Sequence, residues 1–137
     1  MSGLPRVFVV DDDRMLHKVL IMKLGRGMTI LSAHTLGEAR NLFAAYPDIR
    51  LIVLDGCLLR SSLQAKMPDT LPLVGEFRKT FRGPIVAASS NPNFRQMMMG
   101  AGCDHECEDK DLLAQVIERL VDGPACSVSE VVEKGVR

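Results

Sequence analysis

The sequence predicts an α/β domain built around a parallel five-stranded sheet with helices on both faces. Short apolar runs alternate with amphipathic segments of helical period along most of the chain. Most of these runs are uniformly apolar, which is typical of strands that are buried on both faces of a sheet. With 137 residues, 47% of them hydrophobic, the chain has the size and composition of one globular domain.

The first elements are a strand, a helix and a second strand. Arg6–Val10 is a short apolar run and is predicted to be a buried strand. Arg14–Leu24 follows as a helix that ends at Gly25 and Gly27. Met28–Ala33 is predicted to be the next strand. The apolar positions of the helix include Met15, Val19, Leu20 and Met22.

The second helix begins with a capping signal. The Thr35 hydroxyl is positioned to cap it while Glu38 reaches back to the cap amide, which is the pattern of a capping box. This helix is predicted to end at Ala45. Leu51–Leu54 is then a third strand, short and entirely apolar, as expected in the middle of a parallel sheet. It ends at Asp55.

The third helix and the fourth strand follow a long polar loop. Leu71–Phe81 is predicted to be helical, and Pro84–Ala88 is predicted to be the fourth strand. Asn91 is a helix cap and Pro92 a favourable first helical residue. The fourth helix is therefore predicted to run from Pro92 to Met99.

The last elements are a polar strand and an amphipathic helix. Residues 103–107 are predicted to be the fifth strand, although their polarity is not typical of a buried one. Leu112–Val121 is predicted to be the last helix because its apolar residues share one face. We expect one domain over residues 1–123 and a tail or linker over 124–137. The apolar face comprises Leu112, Leu113, Val116, Ile117 and Leu120.

Composition argues against several classes of partner. Seventeen basic and seventeen acidic residues balance, so no general attraction to nucleic acid or to anionic lipid is predicted. No apolar run is long enough to cross a bilayer and no signal peptide is evident, so a cytoplasmic location is expected. The cysteines are few and irregularly spaced, which predicts free thiols rather than a disulfide framework. They are Cys57, Cys103, Cys107 and Cys126.

Polar side chains follow three of the predicted strands. Asp11 and Asp12 end the first strand, Asp55 ends the third and Ser89 ends the fourth. In doubly wound sheets, ligands bind at the carboxyl ends of the strands, near the point where strand order reverses. Three convergent carboxylates form a hard oxygen site suited to Mg²⁺, whose charge offsets their mutual repulsion. The sequence therefore predicts a magnesium site at this rim.

Four motifs in this order resemble the receiver domain of two-component response regulators. They are "VVDD" at the end of strand one, "LIVLD" at the end of strand three, "PIVAASS" after strand four and "AGCD" ahead of strand five. The resemblance covers roughly residues 5–122. It implies a flavodoxin-like, doubly wound (βα)5 fold with a five-stranded parallel sheet.

The resemblance implies a phosphoryl switch rather than an enzyme with turnover. Asp55 would accept a phosphoryl group from a histidine kinase or phosphotransfer protein, with autodephosphorylation as the only further chemistry. Asp12 would bind Mg²⁺ directly, Asp11 would assist, commonly through water, and the backbone carbonyl of Cys57 would complete the protein ligands. Ser89 would bond the phosphoryl oxygens and move toward Asp55, which would change the surface beside strands four and five.

The chain departs from the family pattern in three places. The usual phosphoryl-binding lysine is replaced by Asp109, with Lys110 one residue later. Lys110 would either take that role or lie exposed at a helix start. Glu106 stands where the family has a switch aromatic, and the loop after Asp55 is longer than usual, with Met67 and Pro68 displaced. These departures keep open a second reading, a degenerate receiver that acts as a phosphorylation-independent interaction module.

Each candidate site residue also has an ordinary structural interpretation. Asp13 is predicted to cap the first helix. Asp11 and Asp12 could be surface caps, and Asp55 before a glycine could belong to a turn. Ser89 could be a loop hydroxyl with Ser90 in its place.

A phosphatase of the haloacid dehalogenase type is a third interpretation. Asp11 and Asp13 after an apolar strand resemble the nucleophile motif of that class, but Met15 replaces its usual threonine. The Cys103, His105 and Cys107 group lacks a known zinc spacing, so it is not expected to bind metal.

The expected partners are a kinase or phosphotransfer protein and a downstream protein that the sequence does not identify. The chain has no room for an attached output domain, so it is expected to signal through that partner. Alternatively, residues 124–137 begin a linker to an output domain that has been removed. The run Met97–Met99 is expected to pack partly in the core, and weak homodimerisation through this face stays an open alternative.

Overall fold

Strands and helices alternate along the chain. The computed structural model describes residues 3–59 and 66–122. In chain order the elements are β1 (Arg6–Val10), α1 (Arg14–Leu24), β2 (Thr29–Ala33), α2 (Leu36–Ala45), β3 (Ile49–Leu54), α3 (Leu71–Arg78), β4 (Ile85–Ala88), α4 (Pro92–Ala101), β5 (His105–Cys107), a 3₁₀ turn (Lys110–Leu112) and α5 (Leu113–Asp122).

The strands form one parallel sheet in the order β2-β1-β3-β4-β5. The chain moves outward from β1 to β2 and then returns past β1 to build the other half. Strand order therefore reverses between β1 and β3, and the crevice beyond their carboxyl ends is the expected ligand position. The predicted flavodoxin-like, doubly wound fold is confirmed.

Alternate strand residues face two separate helical layers. Val7 and Val9 of β1 belong to the apolar cluster that contains residues of α1 and α5. Phe8 and Val10 belong to the opposite cluster, which contains residues of α2, α3 and α4. Because both faces of the central strands are covered, these strands have no polar face, and this explains the uniformly apolar runs.

Most predicted boundaries agree with the structure, but α3 is shorter than expected. It ends at Arg78, and the chain to Phe81 continues as turns in which Thr80 and Phe81 amides donate to the Phe77 carbonyl. The Arg78 guanidinium then donates to the carbonyls of Phe81 and Gly83. Arg78 thereby holds the turn that leads into β4.

The buried faces of two helices differ from the predicted ones. In α1 the buried apolar residues are Leu16, Leu20 and Leu24, whereas Met15 and Met22 are 63% and 75% exposed. In the last helix Leu112 is also exposed because it belongs to the 3₁₀ turn that precedes α5. The spacing of four residues along α1 decides which side chains are buried.

The predicted caps of α2 and α4 are present with one change. Thr35 caps α2, since its hydroxyl accepts from the Glu38 amide at 3.1 Å. The Glu38 carboxylate, however, accepts from the amide of His34, not from that of Thr35. Asn91 caps α4 as predicted, accepting from two amides of its first turn.

Two predicted segments lie outside the described residues. They are the middle of the long loop, residues 60–65, and the tail or linker at 124–137, which includes Cys126. Within residues 3–59 and 66–122, no helix has the length and apolar character required to cross a membrane.

Asp13 generates the first testable prediction. Its carboxylate accepts from the amides of Met15 and Leu16 at 3.0 and 3.3 Å, as predicted for the cap of α1. Replacing an N-cap by alanine removes these bonds, so Asp13→Ala should lower the free energy of unfolding by about 1 kcal/mol in denaturant titration. Asp13→Asn keeps a cap oxygen and is the matched control. A large loss of Mg²⁺ affinity in both variants would contradict the cap assignment.

Candidate functional site

The backbone ladder continues one residue beyond the strands and places two acids at the rim. The Asp11 amide donates to the Ala33 carbonyl at 3.0 Å, at the end of β2. The Asp55 amide donates to the Val10 carbonyl at 2.9 Å, at the end of β1. Asp11 and Asp55 therefore leave neighbouring strands at the same level, where strand order reverses.

Three carboxylates converge at this rim. Asp11, Asp12 and Asp55 each offer an oxygen within 4.8 Å of the others. Asp11 is buried, Asp12 is exposed, and the Asp55 side chain is 13% exposed. The structure thus brings together the three carboxylates that the sequence analysis placed at this rim. Asp12 and Asp55 line a cleft with a volume of about 780 Å³, which is also lined by Cys57, Ser89, Asn91 and Lys110.

Lys110 reaches the acids from the segment that follows the edge strand β5. Its Nζ donates to Asp11 Oδ2 at 2.6 Å and to Asp55 Oδ1 at 3.0 Å. Asp109, at the position usual for the family's lysine, instead caps the 3₁₀ turn by accepting from the Asp111 amide. The turn begins at Lys110, and this directs the lysine, displaced by one residue, toward the carboxylates.

The charges of the cluster are unequally compensated. Burial, followed by repulsion from Asp11, raises the pKa of Asp55 to about 6, although Lys110 and the Gly56 amide act in the opposite direction. Burial disfavours the Lys110 ammonium, but Asp55 and Asp11 outweigh this effect and raise its pKa. Two carboxylates stabilise the charged form of Lys110, whereas the two acids share a single ammonium. The lysine therefore gains more from the cluster than Asp55 does.

The donor set is suited to a divalent cation. When ionised, three carboxylates and one ammonium leave a net charge of minus two, which one divalent ion would neutralise. All three acidic ligands offer hard oxygen atoms, and exposed Asp12 leaves room for the waters that Mg²⁺ retains. The residues therefore satisfy the requirements for a hard divalent metal.

The loop after β3 is anchored by two residues that the sequence analysis did not identify. The buried Thr70 hydroxyl lies 2.6 Å from the Asp55 carbonyl oxygen and 3.0 Å from that of Gly56. The two oxygens of Asp69 accept from the amides of Leu58 and Leu59. Both anchors come after residues 60–65 in sequence, and only the fold shows that they return to this site.

The structure distinguishes Ser89 from Ser90. Both line the cleft, but Ser89 is buried and its Oγ accepts from the Asn91 amide at 3.2 Å, while Ser90 is exposed. A Cβ built on Gly56 would lie 3.2 Å from Ser89 Oγ. Ser89 therefore approaches the residue next to Asp55 closely, and a side chain at position 56 would crowd it.

His17 supports the site from α1. Its Nε2 lies 2.7 Å from the Asp11 carbonyl oxygen, so the Nε2–H group donates a hydrogen bond to that oxygen. Burial is the main cause that lowers the pKa of His17, and the neutral form is therefore favoured. A histidine between Leu16 and Leu20, on the buried stripe of α1, was the available sequence signal.

Other sequence candidates are placed apart from the cluster. Cys103 and Cys107 belong to different apolar clusters on opposite sides of the sheet, while His105 is exposed. Among residues 3–59 and 66–122, the three aspartates are the only group of side chains placed closely enough to hold a metal ion together. In the run Met97–Met99, Met98 is fully buried and Met97 is partly exposed, so part of it packs in the core as expected.

Thr70 generates a prediction about the loop. Thr70→Val preserves shape but removes the hydroxyl from two carbonyl oxygens. We expect the free energy of unfolding to fall by about 1–3 kcal/mol in denaturant titration, because buried carbonyls lose partners. Thr70→Ser retains the hydroxyl and should lose markedly less. An unchanged stability in Thr70→Val, together with a clear loss in Thr70→Ser, would show that the methyl group, not the hydroxyl, stabilises the loop.

Asp55 generates a prediction about pH. Its carboxyl binds a proton more tightly in the folded protein, with a pKa of about 6, than at the ordinary value of 3.8. In metal-free protein its ionisation should therefore reduce stability as pH rises from about 4 to about 6, by about 3 kcal/mol. Asp55→Asn should melt at a higher temperature than the unmodified chain at pH 7.5, and the difference should shrink toward pH 4.

Exposed Asp48 provides the control for this measurement. Asp48→Asn should show no gain in melting temperature at pH 7.5, because its side chain is 67% exposed and lies beside Arg6. A difference between Asp55→Asn and the unmodified chain that does not vary between pH 4 and 7.5 would contradict the assigned ionisation.

Comparison with known proteins gives structural neighbours only. No protein-family model matches the chain, and no curated protein matches it. A response regulator from Burkholderia pseudomallei, with a phosphorylated aspartic acid, calcium ion and citrate, has a TM-score of 0.71 and 19% identity, covering 88% of this chain and 68% of that one. A two-component response regulator from Clostridium difficile has a TM-score of 0.71 and 18% identity, covering 87% and 97%.

A signal receiver domain from Bermanella marisrubri is a further neighbour. It has a TM-score of 0.66 and 23% identity, and the match covers 88% of this chain and 100% of that one. These neighbours are signalling proteins, and the low identities show agreement in architecture rather than in detailed sequence. The chain therefore has the fold of response regulator receiver domains, the family that its motifs resemble.

Proposed function

We propose that this chain is a response regulator receiver that accepts a phosphoryl group on Asp55 from the phosphohistidine of a kinase or phosphotransfer protein. The observation that carries the proposal is the position of Lys110, whose Nζ lies within hydrogen-bond distance of both Asp11 and Asp55. Ser89 lines the same cleft. An acid, an ammonium and a hydroxyl from separate segments thus converge in the arrangement that phosphoryl transfer requires.

In the proposed step, an Asp55 carboxylate oxygen attacks the phosphorus as the bond to the donor imidazole nitrogen breaks. The imidazole leaves with that electron pair, and Asp55 becomes an acyl phosphate. Lys110 and Ser89 would donate to the phosphoryl oxygens, while the Gly56 amide, 2.8 Å from Asp55 Oδ1, orients the carboxylate. Magnesium held by Asp11, Asp12, Asp55 and the Cys57 carbonyl would neutralise charge on the transferred group.

Mg²⁺ is the proposed ion. Oxygen ligands of this kind, with solvent access at Asp12, suit a small cation that keeps part of its water shell. The structure of the Burkholderia pseudomallei neighbour contains a phosphorylated aspartic acid and a calcium ion, which supports a phosphoacceptor and a divalent metal in this fold.

The acyl phosphate on Asp55 would be the signal that the chain carries. It would persist until it is hydrolysed, so the chain would act without substrate turnover, apart from its own dephosphorylation. We propose that the chain is cytoplasmic, with a histidine kinase or phosphotransfer protein as donor and a separate downstream protein as recipient. Residues 1–123 would form the receiver, with 124–137 as a tail or linker.

A phosphorylation-independent interaction module is the second candidate. Lys110 already compensates part of the charge of Asp11 and Asp55 without a metal, and Glu106 occupies the place of the family's switch aromatic. Under this reading the cluster would act as a structural ion network, and Asp55 would take no phosphoryl group.

Mass spectrometry of the full chain separates the two candidates. After incubation with Mg²⁺ and acetyl phosphate, we expect one phosphoryl adduct that is absent with a chelator and absent from Asp55→Asn. Failure of the unmodified chain to form an adduct, together with no Mg²⁺ binding by titration, would favour the interaction module.

Lys110 has a matched control in its neighbour. Lys110→Gln removes the ammonium from the cluster and should lower the rate of adduct formation by about 10²-fold, the usual effect of losing one electrostatic stabiliser. Asp109→Asn keeps an oxygen for the cap of the 3₁₀ turn and should leave the rate within about twofold. Equal rates in Lys110→Gln and the unmodified chain would exclude the proposed role of the lysine.

A further inference from the structure

Arg95 of α4 joins the end of β4 to β5. Its Nη1 donates to the Ser89 carbonyl at 2.7 Å, and its Nε donates to Glu106 Oε1 at 3.1 Å. The Arg95 side chain is only 11% exposed. A guanidinium that is so deeply covered needs partners, and these two oxygens supply charge-assisted hydrogen bonds on adjacent donor atoms.

Ser89 is consequently held on two sides. Arg95 binds its carbonyl, and the Asn91 amide donates to its hydroxyl oxygen. Asn91 in turn caps α4, and the Arg95 amide donates to the Asn91 carbonyl in the first turn of that helix. The position of Ser89 therefore depends on the start of α4 and on the guanidinium that this turn presents.

Glu106 completes the link on the neighbouring strand. It pairs with Ala87 in the register of β4 and β5, so Arg95 bonds both to Glu106 on β5 and to Ser89, which follows β4. Glu106 is half exposed, which places one end of the ion pair at the surface and the other against Ser89. A shift of Ser89 would change the geometry of a charge pair that solvent and partners can reach.

We propose that Arg95 is a positioning residue that sets the location of Ser89, and that the Arg95–Glu106 pair carries phosphorylation at Asp55 to the surface of α4 and β5. This inference rests on the proposed function. In this chain an ion pair would perform the coupling that the family's pattern assigns to an aromatic residue. When Ser89 moves toward the phosphoryl group, its carbonyl oxygen moves too, and the Arg95 guanidinium follows because Nη1 is bonded to that oxygen. The hydrogen bond between Nε and Glu106 then changes in geometry.

NMR of the full chain, with Mg²⁺ and acetyl phosphate as the probe, tests this coupling at Arg95 itself. We expect the Arg95 Nε–H and Ser89 amide resonances to shift when Asp55 is phosphorylated, and neither to shift in Asp55→Asn. In Glu106→Gln, which keeps an oxygen for Nε but removes the charge, the Ser89 shift should persist. The shift at Arg95 Nε should then be clearly smaller than in the unmodified chain, since the bond that Nε donates no longer joins two opposite charges.

Kinetics provides the second readout and its control. Arg95→Gln should slow phosphorylation by about tenfold to a hundredfold, because a small displacement of a positioned group is costly. Arg40→Gln removes an arginine from a more exposed ion pair with Glu76, between α2 and α3, and should leave the rate unchanged. A lower melting temperature of Arg95→Gln with an unchanged phosphorylation rate would show that Arg95 is merely structural and would overturn its positioning role.

Two failures are distinguishable. If mass spectrometry shows the Asp55 adduct but the Arg95 Nε–H resonance stays in place, the coupling is refuted while the proposed function stands. If the unmodified chain forms no adduct, the proposed function fails and the coupling falls with it. If Arg95→Gln does not fold, Glu106→Gln tests the proposal in its place. An Arg95 Nε–H shift in that variant as large as in the unmodified chain would overturn the proposal.

Discussion

Two neighbouring acids at one rim, one buried and the other largely covered, are the constraint on which the site depends. Asp11 and Asp55 lie there because the parallel ladder extends one residue past β1 and β3, and the sheet leaves them no alternative position. Their charges need a cation, and Lys110 supplies one from a residue 99 positions further along the chain than Asp11. An ion pair thereby links the first and last parts of the described chain at the point where strand order reverses.

A second tier of residues keeps this rim in shape. Thr70 fastens the backbone at Asp55 and Gly56, Asp69 fastens the following amides, and His17 holds the carbonyl of Asp11. These contacts involve backbone atoms, so they fix where the carboxylates start without consuming the carboxylate oxygens. Rigid backbone with accessible side-chain oxygens is the arrangement that a reactive acid requires.

Much of the fold could be predicted because parallel strands and capped helices leave strong local patterns. Asp55 was identifiable because it is the first polar residue after a fully apolar run, and such a run ends where its buried strand ends. Lys110 could be placed only once the start of the 3₁₀ turn was known, because one residue decides which side chain faces the acids. Arg95 and Thr70 left no signal, since their partners are set by how α4 and α3 pack. The face of α1 that carries Met15 and Met22 is exposed rather than buried, because hydrophobicity alone does not determine which face of a helix packs against the sheet.

The polarity of β5 has a consequence for association between molecules. β5 has three residues, lies at one end of the strand order, and exposes His105 and Glu106. A sheet edge offers unpaired amides and carbonyls to other chains, and brevity and charge are ordinary means of discouraging such pairing. The residues that made this strand the least typical in sequence are therefore suited to its position. They protect the open side of the sheet from growing into an intermolecular one.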